Sequence, residues 1–130
     1  MTITLPIRTT NPLNGSQGGF WYRAKIRRQQ RFVTRVRVQA QLGGKDASEA
    51  ILARANGIRI VLVRCAPSSG LDCDAVPAAL KSIRDGVADA FGIDDRDPRI
   101  AWVYEQRRGK YAVEIRIEPG IKPAKQTDKS

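Results

Sequence analysis

Thr2 to Ile7 (TITLPI) alternates apolar and polar positions and is rich in β-branched residues, which predicts a first strand. Thr9 to Gly19 (TTNPLNGSQGG) is built of turn formers and predicts a loop. Over residues 23–42 two periods compete. Val36, Val38, Ala40 and Leu42 alternate with Arg35, Arg37, Gln39 and Gln41, as in a strand, whereas Ile26, Val33 and Ala40 share one helical face. About 20 residues is too long for an ordinary strand, and RAKIRRQQR consists of good helix formers. We therefore read a helix.

Gly43-Gly44 ends that element. Asp46 to Ala55 predicts a short helix capped by Asp46 or Ser48 and stopped at Asn56-Gly57; the rival is a hairpin turning at that Asn-Gly pair. Ile58 to Cys65 (IRIVLVRC) is the clearest strand, a nearly continuous β-branched run. Val76, Ala79, Leu80, Ile83, Val87, Ala90 and Phe91 form one apolar stripe, so Val76 to Phe91 is the clearest helix. Pro77 belongs in its first turn, and Gly92 stops it. Arg99 to Gln106 and Lys110 to Glu118 read as two strands joined as a hairpin through Arg107-Arg108-Gly109. This order implies an α/β (α+β) fold: a small mixed four-stranded sheet with about two to three helices. Residues 1–118 form one domain, and 119–130 read as a polar, disordered tail.

Charge changes the picture. The 130-residue chain carries 23 Lys+Arg against 13 Asp+Glu, a net +10, with pI near 10.3. So large a surplus on a small domain points to a polyanion, nucleic acid first. The first acid is Asp46, and before it Arg23, Lys25, Arg27, Arg28, Arg31, Arg35 and Arg37 crowd one predicted helix. Such a helix tracks phosphates without reading bases; the plainer alternative is a solvated charged face. Phe20, Trp21 and Tyr22 stack on unpaired bases or, as is commoner, join the core. The absence of His excludes a Ser-His-Asp triad and His-ligated zinc. Cys65 and Cys73 form no CxxC pair and read as reduced, intracellular thiols. The N-terminus lacks the apolar core of a signal peptide, and no run reaches membrane-spanning length, so a soluble, cytoplasmic protein without membrane contact is expected.

The acids gather against this basic background. Asp72 and Asp74 flank Cys73, and Asp94, Asp95 and Asp97 follow the predicted helix. Carboxylates on a phosphate-binding face are repulsive unless they hold divalent cations. The bland alternative makes Asp74 a helix cap and the others turn residues. A helix of that length keeps its ends about 24 Å apart, so Asp95 joins the pair only if the loop doubles back or a second copy supplies it.

Leu71-Asp72-Cys73-Asp74-Ala75-Val76, followed by Ala79-Leu80-Lys81, Arg84-Asp85-Gly86-Val87-Ala88-Asp89 and Gly92-Ile93-Asp94-Asp95, resembles the core of RusA-type Holliday-junction resolvases of the phage and prophage branch. Ile3-Thr4-Leu5-Pro6, Asn11-Pro12-Leu13-Asn14 and the strands from Trp102 to Ile117 resemble the rest of that family, over residues 2–118. The resemblance implies a homodimer that cuts four-way DNA junctions by paired nicks in recombination and repair. It implies Mg²⁺, with Mn²⁺ as a substitute, held by Asp72, Asp74 and Asp95 and secondarily Asp94. It implies a helix lysine, here Lys81, whose offset differs from the founding members. The family Asn after the second Asp is Ala75, and residues 43–57 have no counterpart.

The chemistry of such a site is simple. Metal ions on carboxylates activate water and neutralise the phosphorane without a protein nucleophile. Lys81 or a nearby Arg would stabilise the developing charge, or Lys81 merely pairs with Asp85 at i,i+4. Arg23, Lys25, Arg27, Arg28, Arg31 and Arg35 would hold the DNA backbone. Two other classes compete: a non-catalytic nucleic-acid-binding protein, and a nuclease of this fold acting on flaps or forks.

Overall fold

The computed structural model describes residues 1–9, 20–53, 57–67, 70 and 75–119. Its elements, in chain order, are β1 (Thr2–Leu5), α1 (Phe20–Leu42), α2 (Lys45–Ala53), β2 (Ile58–Ala66), α3 (Ala75–Ala79), α4 (Lys81–Phe91), β3 (Ile100–Arg108) and β4 (Ala112–Pro119). The four strands make one mixed sheet in the order β1-β4-β2-β3. The α+β class and the mixed four-stranded sheet agree with the sequence reading.

The expected final hairpin does not form. β3 and β4 are consecutive, yet β2 lies between them, parallel to β3 and antiparallel to β4. The reason is burial. β2 is the most apolar strand, and every residue from Ile60 to Ala66 is buried, so it needs a neighbour on each side. The short link after β3 passes the end of β2, where the Gly109 N–H donates to the Ala66 carbonyl at 2.9 Å.

One face of the sheet carries the helices. Ile3, Leu5, Ile58, Ile60, Leu62, Ile100, Val113, Ile115 and Ile117 pack there against Val38 and Leu42 of α1, Leu52 of α2, and Leu80, Ile83, Val87 and Phe91. The opposite face buries a smaller row, Val61, Val63 and Cys65, backed by Val103 and Ala112. Long charged side chains arch over this row. Arg116 of β4 reaches Glu105 of β3 at 2.7 Å, and Arg107 of β3 pairs with Glu114 of β4. Such side chains cover apolar surface with their aliphatic stems, and Arg116 Nε is itself buried.

α1 is a helix, as read, but it begins at Phe20 and buries a different stripe. Thr34, Val38 and Leu42 are buried, whereas Val33 is 40% exposed and Ala40 faces solvent. The spacing of four matches the ridge that packs along α4. There, Gly86 is obligatory: a Cβ on it would stand 2.6 Å from the Arg31 carbonyl oxygen and 2.7 Å from Thr34 Cβ. Ser82 Oγ and Gln30 Oε1 close the same seam at 2.6 Å.

The predicted 76–91 helix is interrupted at Leu80. That residue leaves helical geometry (φ −105°, ψ 9°) with its side chain wholly buried. The helix after the double glycine begins at Lys45, so Asp46 and Ser48 lie inside it rather than capping it. Its expected stop at Asn56, and the alternative turn there, lie outside the described residues. Pro119, expected in the tail, ends β4; the remaining tail is not described. Among the described residues no helix is long and apolar enough to cross a membrane.

Candidate active site

Gly92 ends α4 in the left-handed conformation (φ 74°), with the Gly92 and Ile93 N–H groups donating to Asp89 O and Ala88 O. This termination reverses the chain. Residues 93–99 then run back beside the helix, tightened by the Asp97 N–H donating to Asp94 O at 3.0 Å and the Ile100 N–H to Asp97 O at 3.1 Å. The doubling back places Asp95 Oδ2 3.1 Å from Nζ of Lys81, the first residue of α4, and 3.0 Å from Arg84 Nε. Asp95 therefore reaches the starting end of α4 within one chain.

A clamp holds it there. The Asp95 carbonyl oxygen accepts from Arg84 Nη2 at 2.9 Å and from the Trp102 indole N–H at 2.8 Å. Arg84 in turn donates through Nη1 to the Tyr104 hydroxyl at 2.8 Å and lies over the Trp102 ring, 4.7 Å from its centroid. Its Nε is buried and unaligned with any hydrogen-bond acceptor among the described residues, so the contact with Asp95 Oδ2 is charge against charge rather than a hydrogen bond. Trp102 and Tyr104 alternate along β3 on the helix-covered face. Sequence reading gave Arg84 no role of its own. The signal was present as a cation on the helix with aromatics two apart on a strand, but only the fold brings them together.

Lys81 makes the i,i+4 pair considered for it and a second contact, to Asp95. Its ammonium donates to Asp85 Oδ1 at 2.9 Å, the i,i+4 pair, and to Asp95 Oδ2 at 3.1 Å. These carboxylates hold its pKa above the ordinary lysine value, Asp85 more strongly, against a partial loss from burial. Asp94 and Asp97 do turn work. Asp94 Oδ1 accepts the Arg96 backbone N–H at 2.8 Å, and the Arg96 contacts lower its pKa. Asp97 accepts the Arg99 N–H at 2.9 Å and two guanidinium nitrogens; Arg99 brings its carboxyl down to about 2.

The candidate DNA-binding cations divide into two groups. Arg31 is turned inward, donating to both Asp89 oxygens at 2.6 and 2.9 Å, which lowers the Asp89 pKa, and lying 3.8 Å from Asp85. Lys25, Arg27, Arg28 and Arg35 are exposed on α1 with Trp21 and Phe32, and Arg35 sits 5.4 Å from the Phe32 ring centroid. Arg23 is half-buried. A further cation was overlooked: Arg64, on the central strand, is 6% exposed and bonds Thr9 Oγ1 at 3.0 Å and Gln106 Oε1 at 3.4 Å.

Asp72 and Asp74 lie outside the described residues, just before Ala75 in the chain. Among the described residues no three His, Cys, Asp or Glu side chains converge on a metal position. Asp95 and Asp85 offer carboxylate oxygens, the donor type a hard divalent cation takes, and the Lys81 ammonium sits between them. Comparison with family models, characterised proteins and solved structures finds no match for the chain.

Proposed function

We propose that this protein is a Mg²⁺-dependent endodeoxyribonuclease of branched DNA, with the four-way junction as substrate. The observation that carries the reading is the return of the 93–99 loop, which seats Asp95 beside Lys81 at the end of α4 nearest in sequence to Asp72 and Asp74. Asp72, Asp74 and Asp95 would hold the metal, with Asp94 secondary; Mn²⁺ would substitute. The bound ion would supply an activated water and neutralise the attacked phosphate. Arg84 and Trp102 keep Asp95 oriented, and Lys81 stands within a side chain's reach of the attacked group. Lys25, Arg27, Arg28 and Arg35, with Arg23, would grip the phosphate backbone without reading sequence.

Paired nicks need two sites, so a C₂ homodimer follows from the substrate's symmetry. Trp102 and Tyr104 are largely occupied within one chain, so the proposed contact is the edge of β3, which is unpaired among the described residues. The assignment to phage or prophage recombination and repair in the cytoplasm belongs to the same proposal. A second reading, a non-catalytic nucleic-acid-binding protein, draws support from the turn roles of Asp94 and Asp97.

The test uses a labelled four-way junction beside flap and fork substrates, with and without Mg²⁺. Symmetric nicks that need metal and fall roughly 100-fold or more in Asp72→Asn and Asp95→Asn are expected. Retained binding without metal-dependent cleavage would favour the second reading. Sedimentation should give twice 14.4 kDa.

A further inference from the structure

Two cations hold the Asp95 carboxylate, and they are unlike. Arg84 is fixed by four contacts: the Tyr104 hydroxyl, the Trp102 ring, the Asp95 carbonyl and the Asp95 carboxylate. Lys81 is more than half exposed, its side chain 56% open to solvent, and it is held only by exposed, charge-assisted contacts, to Asp95 on one side and Asp85 on the other. Its ammonium occupies the gap between two carboxylate oxygens, at 2.9 and 3.1 Å.

We propose that Lys81 is an exchangeable occupant of this gap: it leaves Asp95 when a divalent cation binds and stays tethered to Asp85. This rests on the metal-site reading above. An ammonium and a hard divalent ion compete for the same carboxylate oxygen, and the divalent ion brings twice the charge. Exposed lysine pairs are held weakly, so exchange costs little. Asp85 is one turn away on the same helix, and Arg31 lies 3.8 Å from its Oδ2. Released from Asp95, Lys81 therefore keeps a position beside the site and has its ammonium free for a phosphate oxygen. Before metal binds, the same contact cancels part of the Asp95 charge and limits its repulsion of the DNA backbone. Lys81 would thus couple metal loading to the availability of its own charge.

The experiment measures Mg²⁺ binding by calorimetry on the full chain without DNA, together with the lysine ammonium NMR signals of the wild-type protein. The Lys81 signal is assigned by its loss in Lys81→Arg. In wild type it should shift on saturation with Mg²⁺. Lys81→Met, which removes the competing cation, should bind Mg²⁺ roughly two- to five-fold more tightly. If wild type binds Mg²⁺ while the Lys81 signal stays unchanged and Lys81→Met keeps the wild-type affinity, Lys81 is a static ion pair and the exchange is wrong, although the metal site stands. If wild type shows no saturable Mg²⁺ binding, both the site and the exchange fall. Should Lys81→Met misfold, the wild-type signal still decides.

Discussion

α1 and α4 lie side by side and share one seam, yet they use charge in opposite ways. α1 carries seven Lys and Arg and no acid. Among the described residues its Lys25, Arg27 and Arg28 have no carboxylate partner and face solvent. α4 carries Lys81, Arg84, Asp85 and Asp89, and each is paired within the chain. The surface pairs on α4 contribute little stability, about 0–1 kcal/mol each; those of Lys81 and Arg84 act geometrically, since they hold Asp95 in place. In the proposed function the charge of Lys25, Arg27 and Arg28 is left for an external anion. Arg31, by contrast, crosses the seam to Asp89 and Asp85.

Breaking the seam should have the largest effect. Gly86→Ala forces backbone against side chain where α1 and α4 touch, and should cost about 1–3 kcal/mol or more of stability, read as a lowered denaturation midpoint. An unchanged midpoint would mean that the helices sit further apart than described. Gly92→Ala, with its Cβ in open space, should cost less, since only the left-handed backbone resists it.

Removing the clamp sharpens the contrast on the α4 side. Arg84→Met should weaken Mg²⁺ binding and cleavage roughly 10- to 100-fold, as loss of a residue supporting a metal ligand usually does, and should alter Trp102 fluorescence. Arg84→Lys keeps the charge but loses the forked contact, and should recover only part. Wild-type metal affinity in Arg84→Met would show that Asp95 is held by other means.

On the α1 side, replacing Lys25, Arg27 and Arg28 with Ala should leave the midpoint nearly unchanged. It should weaken binding to all DNA sequences alike and reduce the salt slope by about 1 for each cation that meets a phosphate. Loss of stability with an unchanged slope would reverse the roles assigned to the two helices.

The smallest expected effect concerns pH. Arg99 holds the folded Asp97 carboxyl at about 2, below its unfolded value near 3.9. A lowered carboxyl stabilises above the unfolded value and loses that contribution as pH falls toward the folded one. The Tm advantage of wild type over Asp97→Asn should be full above roughly pH 5, small near pH 2 and gone by about pH 1. An advantage independent of pH would show that the turn depends on hydrogen-bond geometry rather than charge.

Local physics made much of the molecule legible. β2 was readable because a β-branched apolar run has few other conformations open to it, and the stop at Gly92 because only glycine takes the left-handed position cheaply. The basic character of α1 needed no structure at all. Its buried face was misread because 26, 33 and 40 fit a helical repeat as well as 34, 38 and 42, and only the α4 surface chose between them. The final hairpin was misread for a related reason: adjacency in sequence favours pairing of β3 with β4, but burial of β2 on both edges outweighs it. The sequence by itself determined the elements, their charge and the acids that follow α4. Which acid turns back to the start of α4, and which cation holds it, was decided only by tertiary structure, because Arg84, Asp95, Trp102 and Tyr104 meet through strand order and chain reversal, which no local pattern encodes.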